Sequence, residues 1–135
     1  MVICAEMFAA TLQAKELKFD VRDVDNGGSC ITVPFNDFRP SFFFDGADDG
    51  THVALRIVFT NCPAERTSDL LMICNALNGQ YRWLKFYLEN DNDIMIEDDA
   101  ILSPETAGEE CFELLARTVS IIQDVKPVIM KGIYS

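Results

Sequence analysis

The sequence is poor in the residues and motifs that most often carry catalysis. Its 135 residues include a single histidine, His52, so a histidine pair for a metal ion or a proton relay has no second member. The phosphate-binding motifs G-x-x-x-x-G-K and G-x-G-x-x-G are absent, as is the hydrolase motif G-x-S-x-G. Acidic residues are so frequent that no pair is indicated as general acid and base. We therefore predict no catalytic residues, no cofactor and no enzymatic activity.

Basic residues are half as numerous as acidic ones, 11 against 22, and the formal net charge is −11. A surface of this charge repels phosphate backbones and anionic membranes. We therefore expect neither nucleic acid nor membrane as a partner. An acidic surface favours solubility and also encounter with basic polypeptides.

Long apolar runs are also missing: none approaches the roughly 20 residues that a membrane-spanning helix needs. The N-terminal stretch has no basic residue before its apolar part and contains Glu6, which is atypical of a secretory signal. The five cysteines form no C-x-x-C pair, and this odd, scattered set indicates reduced thiols. We expect a cytoplasmic protein in which residues 1–135 form a single domain.

One nucleophile pairing has to be considered, that of Cys62 with His52. Cys62 precedes Pro63 at the start of a predicted helix, where a helix N-terminus can lower the pKa of a thiol. If residues 51–60 form one strand, however, its ten residues span roughly 30 Å and hold the two side chains at opposite ends. The strand pattern therefore argues against a Cys/His site.

The first half of the chain changes from helical to strand periodicity. Residues 2–17 space apolar side chains at three and four positions and predict a helix. From Phe19 the period is two, and the turn-forming "DNGG" at 25–28 separates two predicted antiparallel strands. The segment 41–50 is predicted as a short strand that runs into a turn, and a longer strand at 51–60 follows.

The second half repeats this change. Residues 61–79 predict a helix that Gly79 closes in the left-handed conformation, and strands are predicted over 80–89 and 93–102. Ser103 and Pro104 are typical of a helix start, and the final helix is expected to run to Pro127. Cys74 and Cys111 fall on the apolar faces of the predicted helices. The order of helix, three or four strands, helix, two strands and helix predicts an α+β fold with one antiparallel sheet.

The segment 85–99 is the most acidic, with six carboxylates in fifteen residues. A calcium loop of the EF-hand type counted from Asp91 places Ile96 where the turn glycine belongs, and its flanks are strands instead of helices. Asn and Asp at 90–93 explain a hairpin turn without a metal, because they bond to their own backbone. We predict a hairpin and no metal ligands here or in the acidic turn 45–50. A weak surface cation site at these turns stays open.

Residues 54–125 contain in order a strand, a helix ending in "LN" at 77–78, the aromatic strand "WLKFYLEND", an acidic strand and a helix with a Ser/Pro start. In this order the segment resembles the YbjN-domain family, described as bacterial sensory transduction regulators. The resemblance extends more loosely to the first half, with its helix, "LKFDVRD", glycine turn and strand. It implies an α-β-β-β-α-β-β-α fold similar to that of type III secretion chaperones, a homodimer and a non-catalytic binding or regulatory role. The phenylalanine-rich segment 38–50 departs from the family pattern and leaves the third strand in doubt.

The resemblance, the acidic surface and the missing catalytic set together favour a homodimer that binds a polypeptide partner. The alternative is an immunity or antitoxin protein that neutralises one basic protein. Aromatic side chains that could contact a partner are Phe42, Phe43, Phe44, Trp83 and Tyr87, although ordinary core packing explains each of them as well.

Overall fold

The computed structural model describes residues 1–134. Nine helices and strands follow one another: α1 (Ile3–Ala14), β1 (Asp20–Asp23), β2 (Ser29–Thr32), β3 (Ser41–Phe44), β4 (His52–Asn61), α2 (Thr67–Gln80), β5 (Lys85–Leu88), β6 (Asp93–Ile101) and α3 (Ala107–Tyr134). Short 3-10 turns cover Asp25–Gly27 and Ala64–Arg66. The predicted α+β class is confirmed, with four strands between the first two helices and a third strand inside the segment that left it in doubt.

All six strands form one open antiparallel sheet in the order β1-β2-β3-β4-β6-β5. The two longest strands, β4 and β6, lie next to each other and pair from His52↔Ile101 to Asn61↔Asp93, with a bulge between Val58 and Thr60. Both edges of the sheet are strands of four residues, β1 and β5. Short edge strands offer little template for unwanted pairing.

The helices cover one face of the sheet. Along β4, Val53, Leu55 and Ile57 are buried, whereas the residues between them are partly exposed or fully exposed. This period of two arises because successive side chains of a strand point to opposite faces. The buried side chains belong to one hydrophobic cluster with residues of α1, α2 and α3. The described helices therefore leave the opposite face of the sheet uncovered.

Two predicted features of the helices are wrong. Gly79 lies inside α2, and the left-handed residue after that helix is Trp83, with φ of 79°. Helix α3 begins later than Ser103 and continues through Pro127 to Tyr134. A proline removes one backbone hydrogen bond, but Ile129 and Ile133, which follow Pro127 at helical spacing, are buried in the core. Tertiary packing thus outweighs the local signal.

Edge strand β5 is held on its outer side by Asn78. The side-chain amide of Asn78 accepts a hydrogen bond from the Phe86 N–H at 2.7 Å and donates one to the Phe86 carbonyl oxygen at 2.9 Å. A single side chain thus satisfies the backbone groups that a further strand would otherwise satisfy. Asn78, the second residue of the "LN" at 77–78, therefore has a structural role at the outer edge of the sheet.

Helices α1 and α3 cross closely at Gly108. A Cβ atom added there would lie 2.8 Å from the Met7 carbonyl oxygen and would overlap the Thr11 hydroxyl. We predict that Gly108→Ala lowers the free energy of unfolding by about 1–3 kcal/mol, because the helices must move apart. Urea denaturation of both proteins measures this difference.

Gly79→Ala is the matched control. Gly79 is also helical, but an added Cβ atom would meet nothing within 4 Å. Alanine at this position should raise the free energy of unfolding by about 0.5–1 kcal/mol, since glycine weakens a helix interior. Equal effects of the two substitutions would contradict close packing at Gly108.

Candidate functional site

The uncovered side of the sheet, called here the open face, displays three rows of side chains that each cross at least three strands, and a shorter row in which His52 pairs with Ile101. Residues paired directly across neighbouring strands point to the same face. One row contains mixed side chains, the second is polar and the third is mainly apolar. Across the strands, the first row is Arg22, Cys30, Phe43, Ala54 and Asp99; the second is Asp20, Thr32, Ser41, Arg56, Glu97 and Lys85; the third is Val58, Met95 and Tyr87.

Glu97 is the buried centre of the polar row. Its carboxylate accepts hydrogen bonds from Lys85 Nζ at 2.7 Å, Arg56 Nε at 3.0 Å and Tyr87 Oη at 2.6 Å. Burial by itself would raise the pKa of Glu97, but the hydrogen bonds from Lys85 and Tyr87 and the charge of Arg56 lower it below its ordinary value. Glu97 is therefore an ionised group whose hydrogen-bond donors are already in place.

The other members of this network are fixed in the same way. Arg56 also bonds to Asp99 Oδ1 at 3.2 Å and to the carbonyl oxygens of Leu55 and Asp98. The hydrogen bond to Glu97, followed by burial, raises the pKa of the Tyr87 phenol above its ordinary value, so that Tyr87 stays a donor. The network ties β4, β5 and β6 together and forms a rigid polar strip across the open face.

Two hollows lie on the open face. The first, the hairpin hollow, has a volume of about 820 Å³ and is lined by Asp25, Asn26, Phe43, Asp45, His52, Asp99 and Ile101, among others. The second, the central hollow, has a volume of about 620 Å³ and is lined by Asp37, Arg39, Ser41, Phe43, Arg56, Val58, Tyr87, Glu89 and Met95. Phe43 lines both hollows, so they are neighbours on the open face, and the Arg22 guanidinium lies 5.5 Å from the centre of the Phe43 ring. Each hollow combines apolar side chains with carboxylates.

The aromatic residues indicated by the sequence separate into three locations. Phe42 and Phe44 are buried in the core, where Phe42 packs on Phe8 with ring centroids 4.7 Å apart. Phe43 and Tyr87 lie on the open face and line the central hollow. Trp83 is exposed beside α3 and lies outside both hollows. The strand period of two explains why only the middle phenylalanine of the three turns away from the helices.

Sequence reasoning missed the charged centre of the open face. Arg56 and Glu97 lie far apart in the chain, and each looks like an ordinary surface residue of an alternating strand. A usable signal was present for Arg56, which is the one charged residue within the otherwise apolar segment 53–59. Glu97 gave no such signal, because it is one of four acidic residues in the predicted strand 93–102. Only the register Arg56↔Glu97 brings them together.

Cys62 and His52 do not form a nucleophilic pair. They lie at opposite ends of β4, as predicted, with Cys62 just past its last residue. Cys62 is buried, its Sγ donates to the Pro63 carbonyl oxygen at 3.3 Å, and burial together with the charges of Glu65 and Asp69 raises the pKa of the thiol. A buried thiol with a raised pKa is a poor nucleophile. All five cysteines are free and buried.

The acidic segment 85–99 forms the predicted hairpin of β5 and β6. Asn92 is left-handed with φ of 66°, and the Asp93 N–H donates to Asp91 Oδ1 at 3.1 Å. Asn61 closes the turn from β4 through hydrogen bonds to Asp91 and Asp93. Across residues 1–134, no three His, Cys, Asp or Glu side chains are arranged to hold a metal ion.

Comparison with known proteins gives the family. The sequence model described as "YbjN: putative bacterial sensory transduction regulator" matches residues 5–130. The chain belongs to the YbjN family. The resemblance recognised in the sequence is therefore confirmed, and it extends over more of the chain than residues 54–125. The family is described as regulatory and is not a known enzyme family. No curated protein matches the chain.

Membrane insertion through a helix finds no support in the part of the chain that the structure describes. None of its helices combines the length and the apolar character that crossing a bilayer needs. The longest helix, α3, alternates buried apolar side chains with exposed charged ones over its 28 residues. Its apolar stripe faces the sheet.

The Glu97 network should make stability depend on pH. The pKa of Glu97 is lower in the folded chain than in the unfolded one, so its contribution is present above the unfolded carboxyl pKa of about 4.3 and is lost as the pH falls through the folded value. We predict that Glu97→Gln lowers the free energy of unfolding by about 1–3 kcal/mol at pH 7. The difference from the natural protein should shrink at pH 3, as measured by urea denaturation.

Asp124→Asn, at an exposed position of α3, removes the same charge and is the control. It should change the free energy of unfolding by less than about 0.5 kcal/mol at either pH. If Glu97→Gln and the natural protein lose stability in parallel between pH 7 and pH 3, the network does not contribute as described.

Proposed function

We propose that the chain is a non-enzymatic cytosolic regulatory module that acts as a homodimer and binds a polypeptide partner along its open face. The observation that carries the proposal is the six-stranded sheet with helices on one side only, whose uncovered side holds two neighbouring hollows that are both lined by Phe43. Family membership supports a regulatory role. The resemblance to secretion chaperones, which hold extended client segments, suggests the binding mode.

The shape and chemistry of the two hollows fit an extended segment. The hairpin hollow and the central hollow follow one another across the sheet, so a chain lying over Phe43 would enter both. Val58 offers apolar contact, since its side chain is 53% exposed on a central strand. The hairpin hollow is lined in part by Asp25, Asp45 and Asp99. A segment with apolar residues flanked by basic ones would complement this surface.

The Glu97 network supports such a surface by holding its polar side chains in one arrangement. Its donors and acceptors already bond to one another, so a partner would not have to separate Arg56 from Glu97 in order to bind. A preorganised surface loses less conformational entropy on association than a flexible one. Affinity would then come from the apolar positions around the network, with charge steering the approach.

A homodimer would leave the open face free if it formed on the helical side. Leu71 and Met72 of α2 are exposed apolar side chains on that side. Such side chains are suited to a contact between two copies. A dimer of this kind would present two open faces to one partner chain and increase the overall affinity.

The acidic side chains of the two hollows also favour a second candidate function. The net charge of −11 and the carboxylates around the hollows would suit the surface of one folded basic protein. In this case the chain would neutralise that protein as an immunity or antitoxin protein does. The two candidates differ in the partner, which is a flexible segment in the first and a compact basic protein in the second.

The test uses Val58→Glu, which puts a charge on the floor of the central hollow. Tagged protein is incubated with cytosol of the source organism at low salt, the salt is raised, and retained polypeptides are quantified by mass spectrometry. We expect one stoichiometric partner, and at least a tenfold loss of it with Val58→Glu. Loss of the same partner when its flexible segment is deleted supports the first function, whereas retention by its folded basic domain supports the second.

Val128→Glu is the matched control, because Val128 is 47% exposed on α3, on the other side of the protein. It introduces the same charge at similar exposure and should retain the partner. Equal capture by both variants, or no retained polypeptide at all, would contradict binding along the open face.

A further inference from the structure

A third cavity lies apart from the two hollows, where the end of β6 meets α3. This cavity, the Asp98 pocket, has a volume of about 350 Å³ and is lined by Trp83, Asp98, Ile101, Leu102, Leu114 and Arg117, among others. Asp98 projects to the helical side of the sheet, since its neighbour Glu97 projects to the open face. The proposed function does not use this cavity.

Asp98 has an incomplete set of hydrogen bonds. The residue is only 9% exposed, and its Oδ1 atom accepts a hydrogen bond from the Asp99 N–H at 2.8 Å. Its Oδ2 atom is fully buried and has no hydrogen-bond partner among residues 1–134. Burial raises the pKa of Asp98 above its ordinary value, with the charge of Asp99 acting in the same direction. Buried carboxylate oxygens normally have a donor, so this one marks a site that a donor would complete.

Trp83 forms an aromatic wall of the same pocket. It is 61% exposed, and its backbone is left-handed with φ of 79°, a conformation that is unfavourable for a bulky side chain. The Arg117 guanidinium lies 4.9 Å from the centre of the indole ring. The indole ring therefore already makes a cation–π contact with Arg117. A second cation that enters the pocket would be able to make the same kind of contact with the ring.

The backbone beside the pocket is a free strand edge. Strand β5 pairs with β6 only from Ile94 to Glu97, whereas β4 pairs with β6 as far as Ile101. Residues Asp98–Ile101 therefore have a neighbouring strand on one side only. Because the Asp99 N–H already donates to Asp98 Oδ1, pairing with a further strand would depend on the Asp99 carbonyl oxygen and on the backbone of Ile101. An extended polypeptide can add to such an edge through main-chain hydrogen bonds, and pockets for its side chains then provide specificity.

We infer that the Asp98 pocket receives a lysine or arginine side chain of an extended polypeptide segment that lies along the free edge of β6. The ammonium or guanidinium group donates to Asp98 Oδ2 after a rotation of the Asp98 side chain exposes this buried atom to the pocket, and the aliphatic stem packs against Trp83 and Leu102. Charge favours this occupant, because Asp99, Glu110 and Glu113 also line the pocket and Arg117 is its single cation. The inference goes beyond the proposed function, since it does not require the open face.

Trp83 makes the site directly measurable, because it is the sole tryptophan of the chain. The probe is the blocked peptide acetyl-Thr-Val-Lys-Val-Thr-amide, and the same peptide with norleucine in place of lysine is the uncharged control. We expect saturable changes in Trp83 fluorescence and in the amide NMR signals of 99–101 with the lysine peptide. Binding of the norleucine peptide should be at least tenfold weaker. Equal binding of the two peptides would overturn the inference.

A second arm distinguishes a peptide side chain from a free amine. N-acetyl-lysine amide carries the same ammonium group without the flanking residues. We expect it to bind at least tenfold more weakly than the peptide and to leave the amide signals of 99–101 unchanged. If it binds as tightly as the peptide, the pocket takes small amines, and the part of the inference that involves the strand edge is wrong.

Two substitutions test the roles of individual residues. Asp98→Asn keeps the shape and the Oδ1 acceptor, and it should weaken lysine-peptide binding at least tenfold. Arg117→Gln removes the cation that competes for Trp83 and should strengthen binding severalfold. If Arg117→Gln instead weakens binding, Arg117 is part of the site and the pocket does not accept a second cation. This arm remains informative even if Asp98→Asn does not fold.

Control variants separate this inference from the proposed function. Asp124→Asn removes a charge from an exposed position of α3 and should leave peptide binding unchanged. Val58→Glu alters the open face and should also leave peptide binding unchanged. Loss of peptide binding in either control would overturn a specific role for the Asp98 pocket. Failure of the peptide to bind says nothing against partner capture by the open face.

Discussion

Antiparallel pairing of β4 with β6 is the interaction on which the rest of the structure depends. The two strands are distant in sequence, yet they pair from His52↔Ile101 to Asn61↔Asp93 and form the centre of the sheet. Their register fixes which side chains face the helices and which face the open side, because a slip of one residue would exchange the two faces. The helices then bury the apolar face, and the open face is what remains.

Glu97 and Asp98 are neighbours in the chain, but their carboxylates point to opposite faces of the sheet. Their pKa values are shifted in opposite directions for this reason. Glu97 points to the open face and accepts hydrogen bonds from Lys85, Arg56 and Tyr87, so its pKa falls. Asp98 points to the helical side, where its Oδ2 finds no donor among the described residues and burial raises its pKa. The Glu97 carboxylate is therefore fully hydrogen-bonded, whereas one of the two Asp98 oxygens, Oδ2, has no donor among the described residues.

Prediction from the sequence succeeded where a local pattern was reinforced by packing. The strand period, the turn at 25–28 and the acidic hairpin of β5 and β6 were all readable, because each depends on residues close together in the chain. It failed at Pro127, where a local helix-ending signal was overruled by burial of Ile129 and Ile133 in the core. It also failed at Gly79, which is exposed and lies one residue before the end of α2 at Gln80. For the three phenylalanines named as candidate contacts, the alternation of a strand assigns Phe43 to one face and Phe42 and Phe44 to the other. The sequence therefore contained the information that separates them.

The sequence by itself determined the α+β class, the antiparallel sheet, the acidic character and the family, because composition, periodicity and motif order are properties of the chain alone. Only the tertiary structure decided that Arg56 meets Glu97, that Asn78 closes the edge at Phe86 and that Asp98 lies beside Trp83. These contacts depend on strand register and helix packing between segments distant in sequence. The distances between these side chains are set when the chain folds, and no local sequence pattern encodes them.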